Sequence, residues 1–202
     1  LHCHAGIMDT ARELAKKNIV AFEQAEVDAI ISNASGCGAK LKEYGMLLAH
    51  DDEFAERAAR FSQKVKDIAS CLDALPSVAK PGELRLRVAY DDPCHLLHAM
   101  KVSRPPRNVL GSIPGLELVE LATPEQCCGS AGIYNITNYE LSMRILQRKI
   151  DDIRATVADV VATGNPGCML QIAHGLRQSG LDQMKVMHPV ELLDQAYGQS
   201  PP

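Results

Sequence analysis

The stretch Ala158–Cys168, with the sequence ADVVATGNPGC, decides the fold because it joins a strand to the start of a helix. The β-branched run around Val160 indicates a short buried strand of a parallel sheet, and a helix follows from Cys168. A similar stretch, VDAIISNASGC, occupies Val27–Cys37. In both stretches an aspartate lies nine residues before the cysteine. The chain is therefore predicted to contain an internal duplication.

Predicted strands and helices alternate along the whole chain. This order predicts an α/β fold made of two pseudo-duplicated βαβ units, with parallel sheets flanked by helices. We expect the first unit at residues 1–78, a linker with a proline and a glycine at 79–84, and the second unit at 85–202. Within the first unit, apolar residues at helical spacing predict one long amphipathic helix over Asp52–Leu75.

The composition excludes several classes of protein. Hydrophobic residues make up 46% of the 202 residues, which is enough for a packed core. The formal net charge is −4 and there is no large basic cluster, so we expect no nucleic-acid partner. No apolar run approaches the roughly 18 residues of a membrane span. The sequence also lacks a Gly-x-Gly-x-x-Gly loop, so we expect the chain itself to bind no flavin.

Cysteines are the residues that indicate chemistry. The chain has seven, and this odd number in a chain of this length does not suggest a disulfide scaffold. Four of them follow predicted strands of the second unit: Cys94, Cys127, Cys128 and Cys168. Because the carboxyl ends of parallel strands gather at one edge of a sheet, we expect these four thiols to converge there.

Three glycines accompany these cysteines. Gly129 and Gly132 follow the cysteine pair, and Gly167 precedes Cys168. Glycine lets backbone N–H groups approach a bound anion closely, so we expect all three to shape a cofactor pocket. Four converging thiolates suit a soft site, either an iron–sulfur cluster or zinc. Cys71, on the apolar side of a predicted helix, is expected to be ordinary core filler.

Four motifs of the sequence resemble the CCG family of cysteine-rich domains: YDDPCH, ELATPEQCCGSAGIYN, TGNPGCMLQI and HPVELL. This family includes the catalytic subunit of heterodisulfide reductase, lactate-utilisation proteins and the iron–sulfur subunit of glycolate oxidase. The flanking sequence is most similar to the glycolate oxidase branch. The chain departs from the Cys-x-x-Cys of the family pattern at Asn165, where one thiol is absent, and this too resembles that branch.

The resemblance implies a cofactor and its ligands. It implies an iron–sulfur cluster, of the 4Fe–4S type, held by Cys94, Cys127, Cys128 and Cys168. It also implies that Cys37 belongs to a second site in the first unit. The first Cys-Cys-Gly of the family and two ferredoxin-type motifs would precede Leu1, so we expect the chain to be the C-terminal part of a longer subunit.

The resemblance further implies the setting in which the chain works. Flavin-containing subunits would oxidise glycolate to glyoxylate, and this subunit would pass the electrons towards a quinone or another membrane acceptor. The chain would then be cytoplasmic and would lie peripherally at the inner membrane as part of the complex. It would have no catalytic residue of its own and would be inactive alone.

Two alternatives remain open at this point. A protein similar to the lactate-utilisation proteins or to heterodisulfide reductase would act directly on a substrate disulfide, and the missing thiol at Asn165 counts against it. A structural module would instead use zinc, or reduced thiols, only to hold the second unit together.

Overall fold

The computed structural model describes residues 1–76 and 80–198. The boundary expected between residues 78 and 79 and the last residues of the second unit, 199–202, lie outside the described residues. No helix in the described ranges is long and apolar enough to cross a membrane. The helices and strands of the first unit are α1 (Met8–Gln24), β1 (Ile30–Ser32), α2 (Ser35–Lys42), α3 (Tyr44–Leu47), α4 (Ala55–Lys64), β2 (Val65–Asp67) and α5 (Ile68–Ala74).

The second unit repeats the alternation of strands and helices. Its first strand is followed by a short π-helical turn, His95–Ala99, rather than by a regular α-helix. The other elements are β3 (Arg87–Tyr90), α6 (Arg104–Gly111), β4 (Glu117–Glu120), α7 (Tyr134–Thr137), α8 (Tyr139–Ala155), β5 (Val160–Ala162), α9 (Pro166–Gln178), β6 (Lys185–Met187) and α10 (Pro189–Gly198).

All strand pairs of these elements are parallel. β1 pairs with β2 in a two-stranded sheet, and the second unit has the strand order β4-β3-β5-β6. The duplication is visible in the helices that follow β1 and β5, because α2 begins at Ser35 and α9 begins at Pro166. These two residues occupy equivalent positions before Cys37 and Cys168. The predicted α/β fold with parallel sheets flanked by helices is confirmed.

The central strands of the second unit are buried on both faces. Val88 and Tyr90 of β3 pack with residues of α6 and α10 on one face. Ala89 of β3 and Val161 of β5 pack with α8 and α9 on the other. All four of these side chains are fully buried. Helices therefore cover both faces of the sheet, as expected for parallel strands.

The two units pack into each other. Ile30 and Val65, from the two strands of the first unit, share a core with Leu96 and Met100, which belong to the segment after β3. In the other direction, Ala69 of α5 lies in the core on the α6 side of the second sheet. Each unit therefore contributes side chains to the core of the other.

The prediction of one long helix over Asp52–Leu75 is wrong. The segment is divided into α4, β2 and α5, because β1 takes a parallel partner at Val65. Val65 is buried in β2, and Asp67 ends the strand. The carboxylate of Asp67 accepts a hydrogen bond from the N–H of Ala69 at 2.9 Å and thereby caps α5. Apolar residues at helical spacing continue through the break, so the periodicity conceals it.

This cap gives a prediction about stability. We expect Asp67→Ala to lower the free energy of unfolding by about 1 kcal/mol, because the N–H of Ala69 loses its acceptor. Asp67→Asn keeps an acceptor of similar capping strength and should remain close to the wild type. Urea denaturation of the three proteins at one pH measures the difference. Equal stability of the alanine variant and the wild type would show that the cap does not define the start of α5.

Candidate metal centre

The four cysteines of the second unit lie on segments that leave the carboxyl ends of neighbouring strands. Cys94 follows β3 and precedes the π-helical turn. Cys127 and Cys128 lie in the loop after β4, and Cys168 lies in the first turn of α9, after β5. Because β4, β3 and β5 are parallel neighbours, these segments open at the same edge of the sheet. The structure brings these four predicted ligands together.

We call these four cysteines the thiol row, because their side chains follow one another in space. Cys127 lies beside Cys94 and Cys128, and Cys128 in turn lies beside Cys168. None of the four is in a disulfide. Cys128 and Cys168 are only 2% and 5% exposed, whereas Cys94 and Cys127 are half-buried. The row therefore leads from a partly accessible rim into the interior.

The thiols of the row change one another's ionisation. Interaction with Cys128 and Cys94 holds the pKa of Cys127 well below its ordinary value, and the N–H of Gly129 also stabilises this thiolate. Interaction with Cys127, followed by burial, raises the pKa of Cys94. Cys127 and Cys168, again together with burial, raise the pKa of Cys128. The four thiols therefore ionise as a group, and the thiolate is the form that binds metals.

Hydrogen-bond donors from the surrounding loops reach sulfur atoms of the row. The N–H of Gly129 donates to Sγ of Cys127 at 3.3 Å, and Nδ2 of Asn165 donates to Sγ of Cys168 at 3.3 Å. The Oδ1 atom of Asn165 accepts a hydrogen bond from the N–H of Gly36 at 3.1 Å. Asn165 therefore connects helix α2 of the first unit to the thiol row. The sequence pattern indicates only that a thiol is absent at this position.

Gly129 and Gly167 are positions where backbone comes very close to other groups. Gly129 has φ +91°, and a Cβ atom there would lie 2.6 Å from the carbonyl oxygen of Ser142. The hydroxyl of Ser142 donates to the carbonyl oxygen of Gly129 at 2.8 Å, which fixes the turn. At Gly167 a Cβ atom would lie 3.0 Å from Oγ of Ser130. Both glycines permit the close packing of the loops that carry the thiol row.

Cys37 lines a cavity to which none of the four cysteines of the thiol row contributes. It is exposed on α2, and this cavity of about 450 Å³ lies between the two units. The same cavity is lined by Gly132, which has φ +69° and where a Cβ atom would lie 2.9 Å from the ring of His4. Cys71 lies elsewhere, on α5, and burial raises the pKa of its thiol.

A buried ion pair lies at the base of the cysteine loops, and sequence reasoning missed it. Nζ of Lys149, in α8, lies 2.9 Å from Oδ1 of Asp91, which follows β3. The two side chains are only 0% and 2% exposed. A sequence signal existed, because Lys149 lies at helical spacing from the buried Leu146 and Ile153 and so belongs to the apolar face of α8.

The donor set of the thiol row fits a soft metal centre. Four sulfur ligands suit an iron–sulfur cluster or tetrahedral zinc, and a backbone N–H that donates to a ligating sulfur is a common supporting contact. Among residues 1–76 and 80–198, no three Cys, His, Asp or Glu side chains already surround an ion position. The thiols contact one another instead. The residues present fit such a centre by the chemistry of their donor atoms.

Comparison with known proteins finds a family and relatives for this chain. The model of the CCG family, described as a cysteine-rich domain, matches residues 2–42 and 88–173. The chain is 47% identical over 201 residues to the "Probable glycolate oxidase iron-sulfur subunit" of Bacillus subtilis, covering 98% of this chain and 45% of that protein. It is 31% identical over 198 residues to the "Glycolate oxidase iron-sulfur subunit" of Escherichia coli, covering 96% and 46%.

A third relative is matched over more of its own length. The chain is 29% identical over 192 residues to "Lactate utilization protein A" of Oceanobacillus iheyensis, covering 95% of this chain and 78% of that protein. By contrast, the chain spans less than half the length of the Bacillus and Escherichia relatives. The two segments matched by the family model include Cys37 and the whole thiol row. The chain belongs to the CCG family of cysteine-rich domains.

Proposed function

We propose that the chain is an iron–sulfur, electron-transferring part of an oxidoreductase complex. The observation that carries this proposal is the thiol row, in which four cysteines from three loops lie side by side at the carboxyl edge of a parallel sheet. This edge is where open α/β sheets bind their ligands. The names of the Bacillus and Escherichia relatives, both iron–sulfur subunits, support iron over zinc.

A bound iron–sulfur cluster, which we propose to be of the 4Fe–4S type, would supply one-electron transfer. The chain's own residues would hold it through the four thiolates of the row. The N–H of Gly129 and the amide of Asn165 already donate to sulfur atoms, and such donors stabilise negative charge on the ligands. Burial of Cys128 and Cys168 would exclude water from the inner side of the centre.

The setting that we propose is a glycolate-oxidising complex. Flavin subunits would oxidise glycolate, and this chain would pass electrons towards a quinone or another membrane acceptor, with the complex peripheral at the inner membrane. The glycolate oxidase names of the Bacillus and Escherichia relatives support this substrate. Because the chain would carry no catalytic residue, we expect it to be inactive without its partner subunits. Cys37, in the cavity between the units, would belong to a second site.

The first test is the metal content of cysteine variants. We expect the wild-type chain, purified without oxygen, to contain iron and acid-labile sulfide and to give a cluster EPR signal after reduction. Cys128→Ser should lose this centre, because Cys128 is buried and lies between Cys127 and Cys168 in the row. Cys71→Ser is the matched control, since Cys71 lies on α5 outside the row, and it should keep the iron.

Two outcomes would contradict the proposal. Equal loss of iron in Cys128→Ser and Cys71→Ser would show that the thiol row does not hold the centre. Zinc without iron in the wild-type chain would show that the centre is a structural metal site and does not transfer electrons.

A second test addresses the close approach at Gly129. We expect Gly129→Ala to destabilise the fold by about 1–3 kcal/mol, because alanine is strained at this φ and its Cβ would meet the carbonyl oxygen of Ser142. Iron content should fall with it, because the turn carries Cys127 and Cys128. Gly111→Ala, in α6, is the control: a Cβ there has no atom within 4 Å, so both properties should be unchanged. Chemical denaturation and iron analysis measure them. Full iron loading of Gly129→Ala would refute this role for the turn.

A further inference from the structure

The ammonium group of Lys149 lies among three oxygen atoms of the protein. A lysine ammonium has three N–H donors. Nζ of Lys149 contacts Oδ1 of Asp91 at 2.9 Å, the carbonyl oxygen of Thr123 at 3.0 Å and that of Pro124 at 3.1 Å. The side chain is fully buried, so one ion pair and two hydrogen bonds hold the ammonium group in place of water. Lys149 therefore joins α8 to the segments that follow β3 and β4.

The carboxylate of Asp91 extends this connection to β5. Its Oδ2 atom accepts a hydrogen bond from the hydroxyl of Thr163 at 3.0 Å. The backbone N–H of Asp91 also donates to the carbonyl oxygen of Ala162 at 3.0 Å. Thr163 follows the last residue of β5 directly, and its side chain is fully buried. One buried ion pair thus contacts the segments that follow three neighbouring strands.

These contacts lie where the cysteine loops begin. Each loop is held a few residues before its cysteine, at Asp91 for the loop of β3, at Pro124 for the loop of β4 and at Thr163 for the loop of β5. We propose that Lys149 and Asp91 are positioning residues. Their ion pair holds the three loops so that the sulfur atoms of the thiol row keep the relative positions that metal binding requires. This inference rests on the proposed function of the thiol row as a metal centre.

A purely stabilising role would be a poor explanation for this pair. Burying two charges costs solvation free energy that their attraction often fails to recover, and well-packed apolar replacements are commonly as stable. The directional contacts are different, because an apolar side chain of the same volume cannot hold two carbonyl oxygens and a carboxylate at fixed distances. Removing both charges together should therefore affect the geometry of the loops more than the stability of the fold.

The test uses Co²⁺ alone as the probe, titrated without oxygen into the full chain with reduced thiols. The variant is Asp91→Asn combined with Lys149→Met, which removes both charges and keeps the side-chain volumes similar. We expect it to bind Co²⁺ roughly 10–100-fold more weakly than the wild type, the range found when residues that support metal ligands are replaced. We also expect altered cobalt ligand-field bands, which a loss of global stability alone would not produce, while far-UV circular dichroism should show a retained fold.

A control pair lies at the opposite end of the same strands. Arg87 of β3 and Glu117 of β4 form an ion pair at the amino edge of the sheet, away from the thiol row. Arg87→Met combined with Glu117→Gln should leave the Co²⁺ affinity and spectrum as in the wild type. An equal loss of affinity in both double variants, or wild-type binding and spectrum in the Asp91/Lys149 variant, would overturn the inference.

A milder variant keeps the test decisive if the double variant does not fold. Thr163→Val removes the hydroxyl that binds Oδ2 of Asp91 and leaves the ion pair in place. It should weaken Co²⁺ binding by a smaller factor than the double variant does, and unchanged affinity would count against the inference.

If the wild-type chain itself gives no thiolate-to-cobalt absorption, the proposed function fails first and the inference fails with it. Normal wild-type binding with unaffected variants refutes the inference alone.

Discussion

Parallel pairing of β3 with both β4 and β5 is the constraint on which the site depends. The chain leaves β3 for β4 on one side and returns to place β5 on the other, so the carboxyl ends of the three strands meet at one edge. This pairing brings cysteines that are far apart in sequence to the same edge. Charged residues on both faces of the sheet bind the segment after β3. Lys149 forms an ion pair with Asp91 on one face. On the other face, Arg107 of α6 donates hydrogen bonds to both carboxylate oxygens of Asp92, at 2.9 and 2.7 Å.

The first unit is part of the same arrangement. Leu96 and Met100, which follow Cys94, are anchored in its core, so the position of Cys94 depends on that unit as well as on β3. On the other side, Asn165 connects Cys168 to the N–H of Gly36 in α2. The thiol row is therefore fixed by contacts with both units, even though all four of its cysteines come from the second.

Much of this arrangement is predictable from the sequence. Some of its features are not predictable, and each has a physical reason. The repeated strand-to-helix stretches predict the strands β1 and β5. Because parallel strands end at one edge of the sheet, they also predict that the four cysteines of the thiol row converge there. The three-residue strand β2 is hidden because Val65 fits the apolar period of the helices around it. Lys149 is not predictable because lysine usually lies on a solvated face, whereas here an ion pair and two hydrogen bonds replace the solvent. The role of Asn165 is hidden because its partner in α2 lies 129 residues away in sequence.

Asn165 also shows how the site differs from a Cys-x-x-Cys arrangement. A thiolate at this position would add negative charge to a partly buried group of four thiols, and like charges at short distance oppose one another's ionisation. It would also leave the N–H of Gly36 without the amide oxygen that now accepts its hydrogen bond. The asparagine instead gives a neutral donor to Sγ of Cys168 and an acceptor to the first unit. The position that lacks a thiol therefore links the two units and reduces repulsion within the row, which suits the electron-transferring centre that we propose.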